Sequence, residues 1–446
     1  MKTIQLITLS AILIAGFALV YNIYFYDGKT KPIKNAEILG TESKSNNIFH
    51  QVLVQPESFN LEHDGIVICF EKIDRSKQIV REGQSVEYTE ADRYKLFGID
   101  QSLKVFDEKS LTNSAKQLVK YTLNDPKPIM LTHWFESTGS GKKKIHYNAY
   151  QALKNQDYDL PSAAILEYKK IGSLIKSKLE SGEYTHLLIG STGWQNDQQH
   201  SLETYNNWLK FIAQSAQQES SSNNFKPLFL GITWPSKWNF PVISVFNKAN
   251  DADELGMTHI NYLIWNEITP IVARLETKIP IITIGHSFGA RLISRANHSR
   301  FMLTSDPTNS TEIDLEIDLQ GAYPVSRFLT KEGNNGGLYT VDNRVKRHAI
   351  TTSRFDRAVK YSLWSTYVGN NSSTEKIAAD KSSPTFGFAK TDNDGRLLNF
   401  PLNHKKVTIN ADAIINQSMN AFTRAHGDVS DQQAGCFIWE LIKRIE

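Results

Sequence analysis

One stretch constrains the fold of this chain more than any other: "IPIITIGHSFGARLISRA", Ile279 to Ala296. A run rich in β-branched residues, Ile279 to Ile284, leads into Gly285-His286-Ser287-Phe288-Gly289, and the pattern then turns helical. A strand that passes so abruptly into a helix forces the residue at the turn into unfavourable φ/ψ and brings two backbones together. Gly285 and Gly289 leave the room this requires, and Ala290 is also small. The expected product is a strand–turn–helix unit that holds Ser287 above the edge of a sheet.

The rest of the chain supplies such a sheet. Apolar runs of strand length recur at Gly65 to Glu71, Pro128 to Phe135, Thr185 to Gly190, Pro227 to Trp234, Ile279 to Ile284, Leu315 to Ala322, His348 to Ser353 and Lys406 to Asp412. Amphipathic stretches alternate with them, such as "SAAILEYKKIGSLIKSKLES", and "INYLIWNEITPIVARLE" with Ile260, Ile264, Ile268 and Ile271 at helical spacing. Nearly continuous apolar strands alternating with helices predict an α/β fold: a mostly parallel central sheet flanked by helices on both faces. In such sheets functional groups gather beyond the carboxyl ends of the strands.

A serine hydroxyl is a weak nucleophile unless a base takes its proton and a third group orients that base. In a strand–elbow–helix arrangement the order along the chain is nucleophile, acid, histidine. Asp356 follows the strand candidate "HAITTS", and His426 stands in a loop before the last helical stretch. His348 and His404 lie at strand starts and His298 on the helix after the elbow, so His426 is the expected base. His286, though next to Ser287, points away from its hydroxyl in such a turn and is assigned packing or hydrogen bonding. An alternative role for Asp356 is a helix cap, which Ser353 could supply instead; Asp428, Ser430 or Asp431 is expected to cap the last helix.

Oxyanion donors are expected from two backbone N–H groups, each worth ~10²–10³ in rate. One belongs to Phe288; the other comes from the loop after "THLLIG", at Trp194 or Gly193. Trp134, Trp234 and Trp238 are candidate substrate-binding residues at strand ends, where they line an apolar acyl pocket or close the top of the core. Segments 323–347 and 357–404 are long for connections and are candidates for a cap or lid.

Gly285-His286-Ser287-Phe288-Gly289, Asp356 in "SRFDRA" and His426 in "AHGDV" resemble the α/β-hydrolase superfamily in its lipase- and esterase-like branches. The resemblance extends over residues 65–446. It implies acyl transfer to water by a serine hydrolase acting on a small-molecule or lipid-like carboxylic ester, without cofactor or metal. Where members of the superfamily commonly begin the oxyanion loop with His-Gly, this chain has Thr192-Gly193-Trp194. The alternatives are a non-catalytic binding or scaffolding protein on the same fold, and a hydrolase of amides or thioesters. With 12 histidines but no His-Glu-x-x-His, no closely spaced ligand set supports a metal hydrolase.

The N-terminus adds a membrane component. Ile4 to Tyr26 carries no charge and, as a helix, matches a ~30 Å hydrocarbon core. Tyr21, Tyr24, Phe25 and Tyr26 form an interfacial aromatic cluster, without an evident small-residue cleavage site before it. Residues 1–26 are therefore expected to be a signal-anchor, a cleaved signal peptide being the alternative, and 27–64 a linker. The domain is expected on the extracytoplasmic side, membrane-anchored or else secreted or periplasmic. A formal net charge of +3, from 50 basic and 47 acidic residues, gives no electrostatic case for a nucleic-acid partner. Two cysteines, Cys69 and Cys436, allow one disulfide or two free thiols, and the oligomeric state is not encoded in any motif.

Overall fold

The computed structural model describes residues 61–72, 128–137, 143–151, 162–196, 198–219, 225–234, 256–300, 312–329, 344–360, 366–379, 386–417 and 425–445, with isolated positions in 236–255 and Tyr339. The predicted membrane segment 1–26, most of the linker 27–64, and Trp238 lie outside the described residues. Among the described residues, no helix is long and apolar enough to cross a membrane.

Eleven strands form one sheet. In chain order they are β1 (Gly65–Lys72), β2 (Pro128–Ser137), β3 (Lys143–Gln151), β4 (His186–Ser191), β5 (Pro227–Thr233), β6 (Ile281–His286), β7 (Leu315–Leu319), β8 (His348–Thr352), β9 (Phe386–Thr391), β10 (Leu397–Leu398) and β11 (Lys406–Asn410). Their order across the sheet is β10-β9-β11-β8-β7-β6-β4-β5-β1-β2-β3. Pairing is parallel from β9 through to β1 and antiparallel only at the two margins.

Five helices pack on the sheet or extend its margins: α1 (Ser162–Glu180), α2 (Gln198–Gln218), α3 (Phe288–Asn297), α4 (Asn371–Ala379) and α5 (Gln432–Ile442). An irregular helical stretch with π-helical turns runs over 256–272. Both faces of the sheet are covered. Ile282, Ile284, Ile317 and Leu319 pack with Trp208 and Ile212 of α2 and with Phe437 and Leu441 of α5. Across the sheet, Leu187, Ile189 and Ile281 pack with Ile171 of α1, Leu292 of α3 and Ile264. Full burial explains why these strands read as unbroken apolar runs. At about 2 kcal/mol per buried Ile or Leu side chain, these two layers are the main source of stability.

The eight strand candidates from the sequence are all present, whereas β3, β9 and β10 carry no signal that marked them in advance. Of the two segments expected as a cap or lid, 357–404 contains α4, and β9 and β10 within it extend the sheet beyond β11, where Phe386 and Gly387 pair with Lys406 and Val407. In 323–347, Tyr323, Val325, Phe328, Leu329 and Tyr339 are buried in a core cluster with Ile350 and Phe386, while 330–338 and 340–343 lie outside the described residues. Cys69 on β1 and Cys436 on α5 are not joined in a disulfide.

One row across the sheet is polar. Thr283, Glu316, His348 and Lys406 are side by side in register on β6, β7, β8 and β11, all buried. Helix α3 lies over this face and adds Asn297, whose amide donates to Thr283 Oγ1 (2.9 Å) and Glu316 Oε2 (2.9 Å). Beside it, Asp253 takes Arg291 and Arg327 at 2.5 and 2.8 Å, with Arg295 at 3.4 Å.

Candidate active site

Ser287 occupies the one-residue turn between β6 and α3, with φ 57° and ψ −120°. A non-glycine residue in such a conformation costs on the order of 1–3 kcal/mol and persists only if its surroundings dictate it. Here they do. Its N–H donates to Leu319 O (3.0 Å), and its carbonyl accepts from Ala322 (3.1 Å) and Arg291 (3.2 Å). A Cβ on Gly285 would run into the Ala290 backbone of α3, and one on Gly289 into the carbonyls of Ser191 and Thr192 at the end of β4. Both glycines are thus explained by backbone approach, as expected.

Asp356 and His426 meet, although β8 and β11 place them far apart in the chain. His426 lies in a short 3-10 turn, Ala425–Gly427, and its Nδ1 is 2.6 Å from Asp356 Oδ2. A carboxylate can only accept, so Nδ1 carries the proton and Nε2 is left with its lone pair. The other oxygen of Asp356 accepts from the N–H groups of Ala358 (2.9 Å) and Val359 (3.4 Å). Asp356 therefore serves both its own loop and the imidazole. It is buried at 1% exposure, while the His426 side chain keeps 13%. Asp431 caps α5 through Ala434 N–H, and Asp428 instead accepts from Gln417 N–H.

His286 connects the elbow to His426. Its Nε2 lies 2.9 Å from the His426 carbonyl, and the two rings are 4.7 Å apart at 42°. A carbonyl accepts only, so His286 donates from Nε2. Burial, and then the neighbouring His426, holds the His286 imidazole well below its ordinary titration range, so it remains neutral. No hydrogen bond joins Ser287 Oγ to His426 among the described residues. Such contacts are frequently long without substrate.

The loop after β4 reaches Ser287 directly. A Cβ on Gly193 would lie 2.6 Å from Ser287 Cβ and 3.1 Å from its Oγ, so only glycine fits there. The loop is tied in place: Trp234 Nε1 donates to Thr192 O (2.8 Å), Asn196 Nδ2 to Gly193 O (3.0 Å) and Gln195 N–H to Ser236 O (3.2 Å). Trp194 is half-buried against the α1 side of the core. Phe288 opens α3, where a first-turn N–H has no acceptor within the helix.

Of the two roles expected for the strand-end tryptophans, Trp234 has the core-closing one: it is 1% exposed and pins the Gly193 loop from behind. Trp134 is in register with Ile66, hence with Leu230, Ile189 and Thr283, four residues before Ser287. It also stands four strands away from β6, because β2 runs antiparallel at the margin and its end is not a carboxyl end of the parallel sheet.

Among the described residues one group could hold a metal ion, His298, Glu316 and His348, whose ligand atoms lie within 4.8 Å of one another. Its members come from three separate elements, so no local motif betrays it. Burial pushes the Asp318 carboxyl beside it up, Glu316 adds to this, and it is raised to about 6. Burial opposes charge on His348 too, but Glu316 and Asp318 outweigh it and raise its imidazole.

Comparison with protein-family models, with curated proteins and with solved structures finds no match for this chain. Its chemistry is read from its own geometry.

Proposed function

We propose that this protein is a serine hydrolase of the α/β-hydrolase kind, cleaving carboxylic esters, lipid-like ones included, through Ser287, His426 and Asp356. The observation that carries this reading is the pairing of a strained serine at a strand–helix turn with an imidazole whose Nδ1 is fixed by a buried carboxylate.

In the first half-reaction His426 Nε2 takes the Ser287 proton while Oγ bonds to the ester carbonyl carbon. The resulting oxyanion is received by the N–H of Phe288 and by that of Trp194, with Gly193 giving the loop its close approach. Asp356 stabilises the imidazolium. His426 then protonates the departing alkoxide oxygen as the C–O bond breaks, leaving an acyl-serine. A water molecule, deprotonated by His426, attacks that acyl carbon; the carboxylic acid leaves and the proton returns to Ser287 Oγ.

The test is labelling of the full-length protein with a fluorophosphonate probe, alongside Ser287→Ala. A Ser287-dependent adduct, and turnover of ester in preference to amide and thioester substrates, is the expected result. A folded protein without such an adduct overturns the enzyme reading in favour of a binding protein on this fold, for which the open Ser287–His426 contact speaks. We further propose anchoring through residues 1–26 with the domain on the extracytoplasmic side. Protease treatment of intact cells should degrade the domain; protection contradicts that orientation.

A further inference from the structure

The sheet interior holds two carboxylates that ordinary packing does not explain, one in the polar row and one beside it. Glu316 and Asp318 sit two residues apart on β7, so their side chains share a face, and both are 0% exposed. Burying a pair of like charges in a sheet core is unfavourable by several kcal/mol per ion unless charge of the opposite sign sits among them. Lys406 lies in the same row but directs its ammonium to the Tyr339 carbonyl at 2.8 Å.

What surrounds the carboxylates are imidazoles. His298, at the end of α3, and His348, the first residue of β8, are each 1% exposed. His298 Nε2 is 3.2 Å from one Glu316 oxygen and His348 Nε2 is 3.3 Å from the other. Both nitrogens of His298, Oε1 of Glu316, Oδ1 of Asp318 and Nδ1 of His348 nevertheless have no hydrogen-bond partner. The approach of His298 to Glu316 without hydrogen-bond geometry is what lone pairs show when they converge on a common point; His348 Nε2 has a hydrogen bond of its own, to Asp318 Oδ2. Bonds of ~2.0–2.1 Å to a tetrahedral ion place neighbouring ligand atoms ~3.3 Å apart, which matches both separations.

We propose that His298, Glu316 and His348 form a structural site for one divalent transition-metal ion of the zinc class. Asp318, whose Oδ2 is hydrogen-bonded to His348 Nε2 at 2.6 Å, stands beside the ligands and orients that ring. A dication held there lies next to both carboxylates of β7, which removes their charge problem. Donors behind the carboxylates hold them in orientation: Asn297 donates to Glu316 Oε2, and the Tyr323 hydroxyl donates to Asp318 Oδ2. Imidazole and carboxylate ligands suit zinc, and the full burial of all three residues leaves no approach for a substrate, which marks a structural rather than a catalytic ion. The ion would join α3, β7 and β8 beneath the elbow. This inference does not depend on the hydrolase reading.

The experiment measures zinc in full-length protein purified from zinc-supplemented cells without chelators, together with His298→Gln and Glu316→Gln. About one ion per chain is expected in the wild type, with at least a tenfold lower content in either folded variant. Cobalt substitution should give a visible ligand-field spectrum that His298→Gln lacks. Folded wild-type protein holding under about 0.1 ion per chain, and gaining none on refolding with zinc, overturns the site. So does zinc that persists in folded His298→Gln. If the variants do not fold, wild-type protein refolded with chelator should melt lower than protein refolded with zinc; equal melting temperatures overturn the proposal.

Discussion

The two polar regions of this molecule are built on the same strands but at different heights. At the start of β8 and β11 stand His348 and Lys406, in register and buried; just beyond the ends of those strands the chain places Asp356 and His426. The lower group is assembled by strand register and covered by α3, so its charges must be balanced inside the protein. The upper group is assembled from loops, each held by a few hydrogen bonds, and leaves the His426 side chain 13% exposed. Polarity in the core serves cohesion; polarity at the strand ends is where the proposed function puts its chemistry. Variants in the two regions should therefore separate into losses of turnover and losses of stability.

The largest separation is expected for Ser287→Ala. Turnover should fall by at least ~10³-fold with circular dichroism and melting unchanged, and alanine also lacks the probe-reactive hydroxyl. Next comes Asp253→Asn, which leaves Arg291, Arg295 and Arg327 uncompensated near one another. Chemical denaturation should show a loss of about 3 kcal/mol, while probe labelling per folded molecule stays at the wild-type level. Labelling that falls in proportion to the stability loss would break the division between the regions.

Acid should sharpen the same contrast. Burial favours a neutral Asp253, but Arg291, Arg327 and Arg295 outweigh it and hold its carboxyl well below the usual range. The stability it contributes is present above the unfolded value of ~3.9 and is lost as pH falls below it. His286 is also depressed, by burial and by His426, so the unfolded chain takes up its proton below ~6.5 while the native state does not. Burial holds His259 down as well, to about 3, so the two imidazoles share the upper of two steps by which stability should decline on acidification, followed by urea midpoints; Asp253→Asn should flatten the lower step and His286→Phe should reduce the upper without removing it. The smallest effect concerns turnover in His286→Phe, which keeps a ring beside His426 but removes the donor to its carbonyl. One lost hydrogen bond of about 1 kcal/mol corresponds to a loss of roughly fivefold, with labelling at Ser287 retained.

The upper region is far more legible in sequence than the lower. Ser287 announces itself because its conformation demands glycines at fixed offsets, and Asp356 and His426 follow in an order the strand–helix alternation dictates. Gly193 is readable for a similar reason, since a loop that approaches another backbone needs a residue without a side chain. For Trp234 the sequence leaves pocket and core open, because a position at the end of a strand says nothing about which face the side chain takes. β9 and β10 escape notice because margin strands lack the unbroken apolar run; "FGFAKT" is buried at Phe386, Gly387 and Thr391 but exposed at Phe388 and Lys390. The lower row is invisible for a deeper reason. Thr283, Glu316, His348 and Lys406 become neighbours only through strand register, and no spacing along the chain records that.

The contact between Gly193 and Ser287 has a consequence for when the serine becomes reactive. The two residues follow β4 and β6, adjacent strands that are separated in the chain by β5 and the helical stretch 256–272. Until those strands pair, Ser287 is an ordinary alcohol with neither its turn geometry nor its neighbouring loop. On the proposed mechanism, an electrophile that reacts with Ser287 is therefore a gauge of native assembly, counting in each sample the chains whose central sheet has closed.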